Sequence, residues 1–343
     1  QRNPIKFLLF VSYFPQLVQG PISRYGDLAP TLFAEHKFDG KTVSFGLSRI
    51  LWGYFKKMVI ADRLLPAVTE LVQKPDQYSG AFVFVAMLFY AFELYCDFTG
   101  GIDITIGIAE ALGMHLAENF KRPFSSRTTK EYWNRWHVTM GSWFNDYIFL
   151  PLSVTKPLLK LSKSIRSKNN RFMQGLGKRI PVYTATTVTW FLTGLWHGAA
   201  WNFIAWGLMF GILLLIEKWV PALQKLPYFL RHLYVLVLVC VSFVLFNAAD
   251  LSQAASDISG MFGFGGVPAY SAEWLYYLRS YAVVLVIGIV GATPLPKKIF
   301  TKLSEKNEKL FNVIEPVVLV GLMIVMTAYL VDGSFNPFLY FRF

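Results

Sequence analysis

Among the groups in this sequence able to move a proton near neutral pH, His197 has the most unusual setting. It is the single histidine of Ile180 to Ile216, thirty-seven residues without one Asp, Glu, Lys or Arg, and the local sequence reads TGLWHGAAWNF. A run that long and apolar belongs in hydrocarbon, where an ionisable group is costly and marks a site. On a helix the side chains of Trp190, Thr193, Trp201 and Ile204 share its face, which sets the imidazole between indole rings. Poor solvation there disfavours the imidazolium and keeps the ring available as a base. The alternative is a histidine that only hydrogen-bonds a neighbouring helix.

A second histidine lies in Glu131 to Leu152, EYWNRWHVTMGSWFNDYIFLPL. Read as one helix, Trp133, His137, Met140, Phe144 and Ile148 form one stripe, and Arg135, Thr139, Ser142 and Asp146 form the opposite one. Such a helix borders a wet chamber inside the protein. The competing reading is an interfacial helix anchored by its aromatics at headgroup level.

The elements that must position these groups follow from composition. With 343 residues, 54% hydrophobic and 17% aromatic, and a mean hydropathy of +0.42, the chain falls outside the range of soluble domains. Apolar runs at Gly80 to Cys96, Ile180 to Ile216, Leu233 to Ala249, Trp274 to Leu295 and Phe311 to Val331 are each about long enough to span. Strand alternation of the barrel type is absent, so the expected class is all-α: a polytopic transmembrane helical protein with re-entrant and interfacial helices. Cys96 and Cys240 fall in separate spans without metal spacing, so a metal site and a disulfide framework are both unsupported.

The net charge of +12 does not point to nucleic acid, because the basic residues cluster in short segments between spans. Lys156 to Arg179 carries eight basic residues and no acid, Lys297 to Lys309 carries five lysines against two glutamates, and Asp250 to Glu273 carries no basic residue. The positive-inside rule makes the first two cytoplasmic, together with the loop after Glu217, and the last external. An even number of crossings then separates Arg179 from Glu217, so the central run is a hairpin with His197 near its bend. Its halves would be about 25 and 28 Å long as helices, slightly short of a 30 Å core. One long tilted helix is the competing geometry and breaks the charge alternation.

Phe7 to Tyr25 is apolar but interrupted by Pro15, Gly20 and Pro21, and it carries Gln16, Gln19 and Arg24. Such a broken element is tolerated at membrane depth where it is covered by protein or lines a cavity. Thr42 to Pro66 holds Arg49, Lys56, Lys57, Asp62 and Arg63, too much charge to span, and is expected along the cytoplasmic interface. Asp97, at the end of the Gly80 to Cys96 run, is either an interface marker or part of a site. The chain starts at Gln1 and reads as the C-terminal part of something longer, with N-terminal spans missing.

The segments FPQLVQGPISRY, ENFKRPF, YWNRWHVTMGSWFNDYIFLPLS, GLWHGAAWNFIAWGL and NPFLYFRF occur here in one order over nearly the whole chain. Together they resemble the membrane-bound O-acyltransferase family, in the bacterial branch that includes the alginate O-acetylation membrane protein. The resemblance implies one such domain over residues 1–343, with a central tunnel through the membrane, a cytoplasmic acyl donor and an extracytoplasmic acceptor. By motif, His197 matches the family's invariant histidine and His137 its second one. This branch often has Arg where the chain has Asn134 and Asn145, so a basic contact is not carried over at those positions.

We therefore take His197 and His137 as catalytic candidates, and Trp133, Arg135, Trp136, Asp146, Trp196, Asn202, Gln16 and Arg24 as substrate-binding candidates. The expected enzyme is an O-acyltransferase of the bacterial cytoplasmic membrane. It would take acetyl from acetyl-CoA, another acyl-CoA or an acyl carrier thioester, and hold no permanent cofactor. Its acceptor is a hydroxyl of a cell-envelope polysaccharide, reached directly or through a secreted partner acyltransferase. D-alanyl transfer to teichoic acid from a carrier protein is the alternative within the family, and a transporter or channel is the alternative outside it. The basic Ser153 to Arg179 segment suits an anionic donor or anionic lipid headgroups.

Overall fold

The computed structural model describes residues 1–73, 80–168, 170–264 and 272–332, and every regular element within them is a helix. The terminal NPFLYFRF and part of Asp250 to Glu273 lie outside the described residues. In chain order the helices used below are α1 (Gly40–Phe55), α2 (Ala81–Ala111), α3 (Thr129–Trp133), α4 (Val138–Phe144), α5 (Lys156–Arg166), α6 (Arg171–His197), α7 (Trp201–Trp219), α8 (Tyr228–Asn247) and α9 (Glu308–Asp332). They fall into two compact units, Gln1–Arg122 with Ser259–Phe343, and Pro123–Ile258.

Among the described residues four helices are long and apolar enough to cross a membrane: Phe82–Ala111, α7, α8 and α9. The Trp274 to Leu295 run, expected as one span, is instead two helices, Glu273–Ser280 and Ala282–Gly291, bent by 65°. The central run is the expected hairpin. Its first arm starts well before Ile180, at Arg171, where Asn170 caps the helix by accepting from the Phe172 and Met173 N–H groups. At 27 residues this arm is about 40 Å long, which removes the shortfall expected from the apolar run alone. The preceding basic segment is not a loop throughout, because Lys156–Arg166 is a helix. It is tied to α6 by the Ser162 hydroxyl donating to the Gly177 carbonyl at 2.7 Å.

In the first unit, Phe7 to Tyr25 is broken as expected: Pro4–Val11 ends, Phe14–Gln16 is a short 3-10 turn, and helix resumes at Tyr25. α1 packs closely along α2. A Cβ built on Gly53 would lie 2.6 Å from the Gly100 carbonyl oxygen, and one on Gly100 would lie 2.8 Å from that of Gly53. Small residues facing one another let backbones approach this closely, which is how helices associate where lipid removes the hydrophobic drive.

The charges of Thr42 to Pro66, expected to face headgroups, are turned toward α2. Arg49 contacts Asp103 at 3.0 Å, Glu110 at 3.2 Å and Glu118 at 2.7 Å, and Lys56 contacts Asp103 at 2.5 Å. Lys57 reaches Asp97 and Asp62, each at 2.7 Å. Asp97 is thus neither exposed at an interface nor open: it is buried against an ammonium. Paired charges are the form in which ionisable groups are tolerated away from water, and losing one partner leaves the other uncompensated.

Candidate active site

The second unit builds a site around the bend of the hairpin. α6 ends at His197 and α7 starts at Trp201, so Trp201 and Ile204 do not continue the face of His197 as a single helix would require. Trp201 is in fact exposed. The arms meet through glycines: a Cβ on Gly194 would lie 2.4 Å from the Phe203 carbonyl oxygen, and one on Gly207 would lie 2.3 Å from that of Trp190. This close crossing brings Trp206 of α7 against His197, with ring centroids 4.9 Å apart and edge to face.

Two more rings complete the cage. Phe246 of α8 lies 5.2 Å from the imidazole and Trp196 lies 4.9 Å from it. His197 is half-buried, and its Nε2 is enclosed without a hydrogen-bond partner. Asn202 holds the cage together, since its amide donates to the Ala248 carbonyl at 2.9 Å and to that of Phe246 at 3.5 Å. It acts by fixing the end of α8 that carries Phe246.

His137 reaches the same cage by a different route. The Glu131 to Leu152 stretch is not one helix: α3 ends at Trp133, α4 begins at Val138, and residues 145–149 form a π turn. His137 stands in the break at φ 45° and ψ 52°, a left-handed conformation that costs an L-residue about 1–2 kcal/mol. Non-glycine residues held there concentrate at functional sites. The residue is buried, its ring 6.2 Å from that of Trp196, which in turn lies 4.9 Å from His197.

α3 is positioned by a buried carboxylate of α7. The Glu217 carboxylate accepts from the Thr129 N–H at 2.6 Å and the Lys130 N–H at 3.4 Å, and Thr128 Oγ1 accepts from the Glu131 N–H at 3.0 Å. A carboxylate at a helix N-terminus satisfies donors that have no partner inside the helix. So capped, α3 aims Trp133 into the core, where its ring packs 4.7 Å from Trp190, 4.8 Å from Phe210 and 5.6 Å from Trp206. Trp136 stacks on Tyr132 at 5.7 Å.

Beside these rings lies a cavity of about 880 Å³, within the range of small-molecule sites. It follows α6 from Val182 to Thr193, about 16 Å along the axis. Lys130, Glu217, Lys218 and Gln224 line one region, and Val138, Met140, Trp190 and Thr193 another. Neither histidine lines the cavity, but two lining residues are their neighbours along the chain, Val138 adjoining His137 and Thr193 lying one turn before His197.

Of the residues singled out from sequence, the structure brings together His197, His137, Trp133, Trp136, Trp196 and Asn202. It does not enlist the others in this cluster. Arg135 donates to Glu131 at 2.6 Å and to the Ser125 hydroxyl, so it braces α3. Asp146 is exposed on the π turn and accepts from the Asn145 amide at 3.1 Å. Gln16 and Arg24 belong to the first unit, where Gln16 donates to the Phe10 carbonyl at 2.6 Å and Arg24 precedes the Tyr25–Leu32 helix. The opposed stripes failed because they assumed unbroken helical phase across His137. Sequence reading passed over Thr186 and Thr189, which continue the helical face of Thr193 at a spacing of three and four, and the capping role of Glu217, the first acid after the apolar run.

The model of the membrane-bound O-acyltransferase family matches residues 2–167, which includes His137. The chain is similar to the probable alginate O-acetylase of Azotobacter vinelandii, 30% identical across 100% of this chain and 70% of the relative. It is also similar to the peptidoglycan O-acetyltransferase of Helicobacter pylori, 30% identical over 77% of this chain and 47% of that protein. The teichoic acid D-alanyltransferase of Bacillus subtilis is 28% identical over 65% of this chain and 54% of its own length. Against the last two relatives the chain thus spans about half of their length. Apolar helices of spanning length and a match over the whole of this chain to a probable alginate O-acetylase lead to one assignment, which displaces a transporter or channel: the chain belongs to the membrane-bound O-acyltransferase family, as a multi-pass protein of the bacterial cell membrane.

Proposed function

We propose that this protein transfers an acetyl group from a thioester donor to a hydroxyl of a cell-envelope polysaccharide, with His197 as the general base. The observation that carries the reading is the aromatic cage around His197, with His137 against its Trp196, the two histidines near in the chain to Thr193 and Val138 of the cavity wall. The donor, acetyl-CoA or a carrier-bound thioester, occupies the cavity with its thioester carbon near His197. The acceptor oxygen attacks that carbon while its proton passes to the imidazole, the carbon–sulfur bond breaks, and the thiolate leaves with the proton returned by the imidazolium. His137 orients the thioester. The acceptor, or a secreted partner that carries the acetyl group onward, approaches from the extracytoplasmic side. D-alanyl transfer uses the same geometry with a different acyl group, and the teichoic acid relative is the observation in its favour.

Two expected results bear on this reading. In a cysteine-free background, a cysteine at position 163 should resist a membrane-impermeant maleimide applied to whole cells, while one at position 257 should react. The reverse pattern would overturn the assignment of the basic segments to the cytoplasm. For His137, asparagine is the informative replacement, because it tolerates the left-handed backbone that other residues resist. His137→Asn should express and purify like the native protein and lower kcat/KM about tenfold, the loss of one positioning hydrogen bond. An unchanged kcat/KM would remove His137 from the site.

A further inference from the structure

We infer that Trp133 and Thr189 form a two-donor subsite for an amide carbonyl of the pantetheine arm that carries the acyl group. The inference rests on the thioester donor proposed above and specifies how the cavity grips it.

Three threonines of α6 line the cavity, Thr186, Thr189 and Thr193. Two of them dispose of their hydroxyls in the usual way for an apolar helix, donating to a carbonyl one turn back: Thr186 to Val182 and Thr193 to Thr189, both at 2.8 Å. Thr189 does not, and its Oγ1 is enclosed without a partner. Trp133, on the cavity wall formed by α3, is in the same condition. Its ring is held edge-on by Trp190 and Phe210, yet its indole Nε1 is buried without an acceptor. Both residues are only 9% exposed. Buried polar atoms are nearly always satisfied, so two such atoms on the walls of one cavity mark where a ligand's polar group belongs. An indole N–H can only donate, and a hydroxyl can do so as well; the complementary group is an oxygen with two lone pairs, a carbonyl.

Position along α6 selects which carbonyl. Thr189 precedes His197 by eight residues, about 12 Å along the helix axis. The thioester carbonyl, which must reach His197, is therefore not the group bound at Thr189. On an extended pantetheine arm the first amide carbonyl lies about 6 Å, and the second about 11 Å, from the thioester carbon, at about 1.2 Å per bond. The second amide matches.

The test compares donors that share one amide and differ in the other. Acetyl-CoA has both amides of the arm, whereas S-acetyl-N-acetylcysteamine ends at the first. Dissociation constants would be measured with the full chain in lipid nanodiscs, in a His197→Gln background so that no turnover intervenes. Thr189→Val and Trp133→Phe should each weaken acetyl-CoA about 3- to 10-fold, the range of one hydrogen bond, and leave acetyl-N-acetylcysteamine within twofold. Thr189→Ser, which keeps the hydroxyl, should bind acetyl-CoA like the parent. The double variant should lose less than the product of the two factors, because both donors serve one oxygen. Acetylated acyl carrier protein is measured in parallel, since it presents the same arm, and the loss is read in whichever donor the parent binds. Unchanged affinity in both variants, or an equal loss with the truncated donor, overturns the subsite alone. A parent that binds neither acetyl-CoA nor the charged carrier sinks the thioester reading together with it. Should Trp133→Phe fail to fold, the near-isosteric Thr189→Val decides by itself.

Discussion

Purified His197→Gln protein is expected to fold, insert and bind a thioester donor, yet turn over about two to four orders of magnitude more slowly than the native chain. That factor is the usual contribution of a positioned general base. The structure makes the separation of folding from activity reasonable. The imidazole makes ring contacts with Trp206, Phe246 and Trp196, but its Nε2 bonds nothing in the protein, so replacing it leaves no partner stranded. Glutamine keeps a donor and similar bulk but cannot accept the proton, and it should be as inactive as alanine. Acetyl release from donor to polymer, measured beside a size-exclusion profile, checks both halves. Native turnover in His197→Gln would remove the general base assignment and leave the family intact.

A large effect on stability is expected at Gly53, far from any proposed chemistry. A leucine Cβ there would stand 2.6 Å from the Gly100 carbonyl oxygen and 2.7 Å from Ile104 Cγ1, where contact distances of about 3.5–4.0 Å are needed. Backbone cannot yield as a flexible side chain does. The helices must separate by an ångström or more, which also stretches the Arg49 and Lys57 ion pairs to α2. Overpacking costs about 1–3 kcal/mol, and weakened buried pairs add to it. For a total of about 3 kcal/mol, at about 2–4 °C per kcal/mol, the apparent melting temperature should fall by about 6–12 °C. Gly321 of α9 is the control, since a Cβ there meets nothing within 4 Å. Equal melting temperatures for Gly53→Leu and Gly321→Leu would contradict the close crossing.

How much of this was legible in the chain depended on the range of the interaction. Hydropathy is a sum over neighbours in sequence, so the spans, the hairpin and its bend at His197 could all be read from runs of residues. The positions of basic segments were legible for the same reason, but not that Lys156–Arg166 is helical. Phase arguments held only as far as helices stayed unbroken. They failed at His137, where a left-handed residue resets the phase, while at Trp274 to Leu295 hydropathy showed an apolar run but not the 65° bend that divides it into two helices.

By itself the sequence determined the all-helical membrane class, the family through the order of its motifs, and His197 as the ionisable group most in need of explanation. Each follows from composition or from contiguous residues. The tertiary structure alone decided that His137 and His197 share an aromatic cage, that Asp97 is buried against Lys57, and that Arg135 braces α3 instead of lining the cavity. It also decided that Thr189, of three similar threonines, is the one left without a partner. Those outcomes depend on which helices cross at glycines and on what lies across each crossing, and contacts between residues distant in sequence leave no local pattern to read.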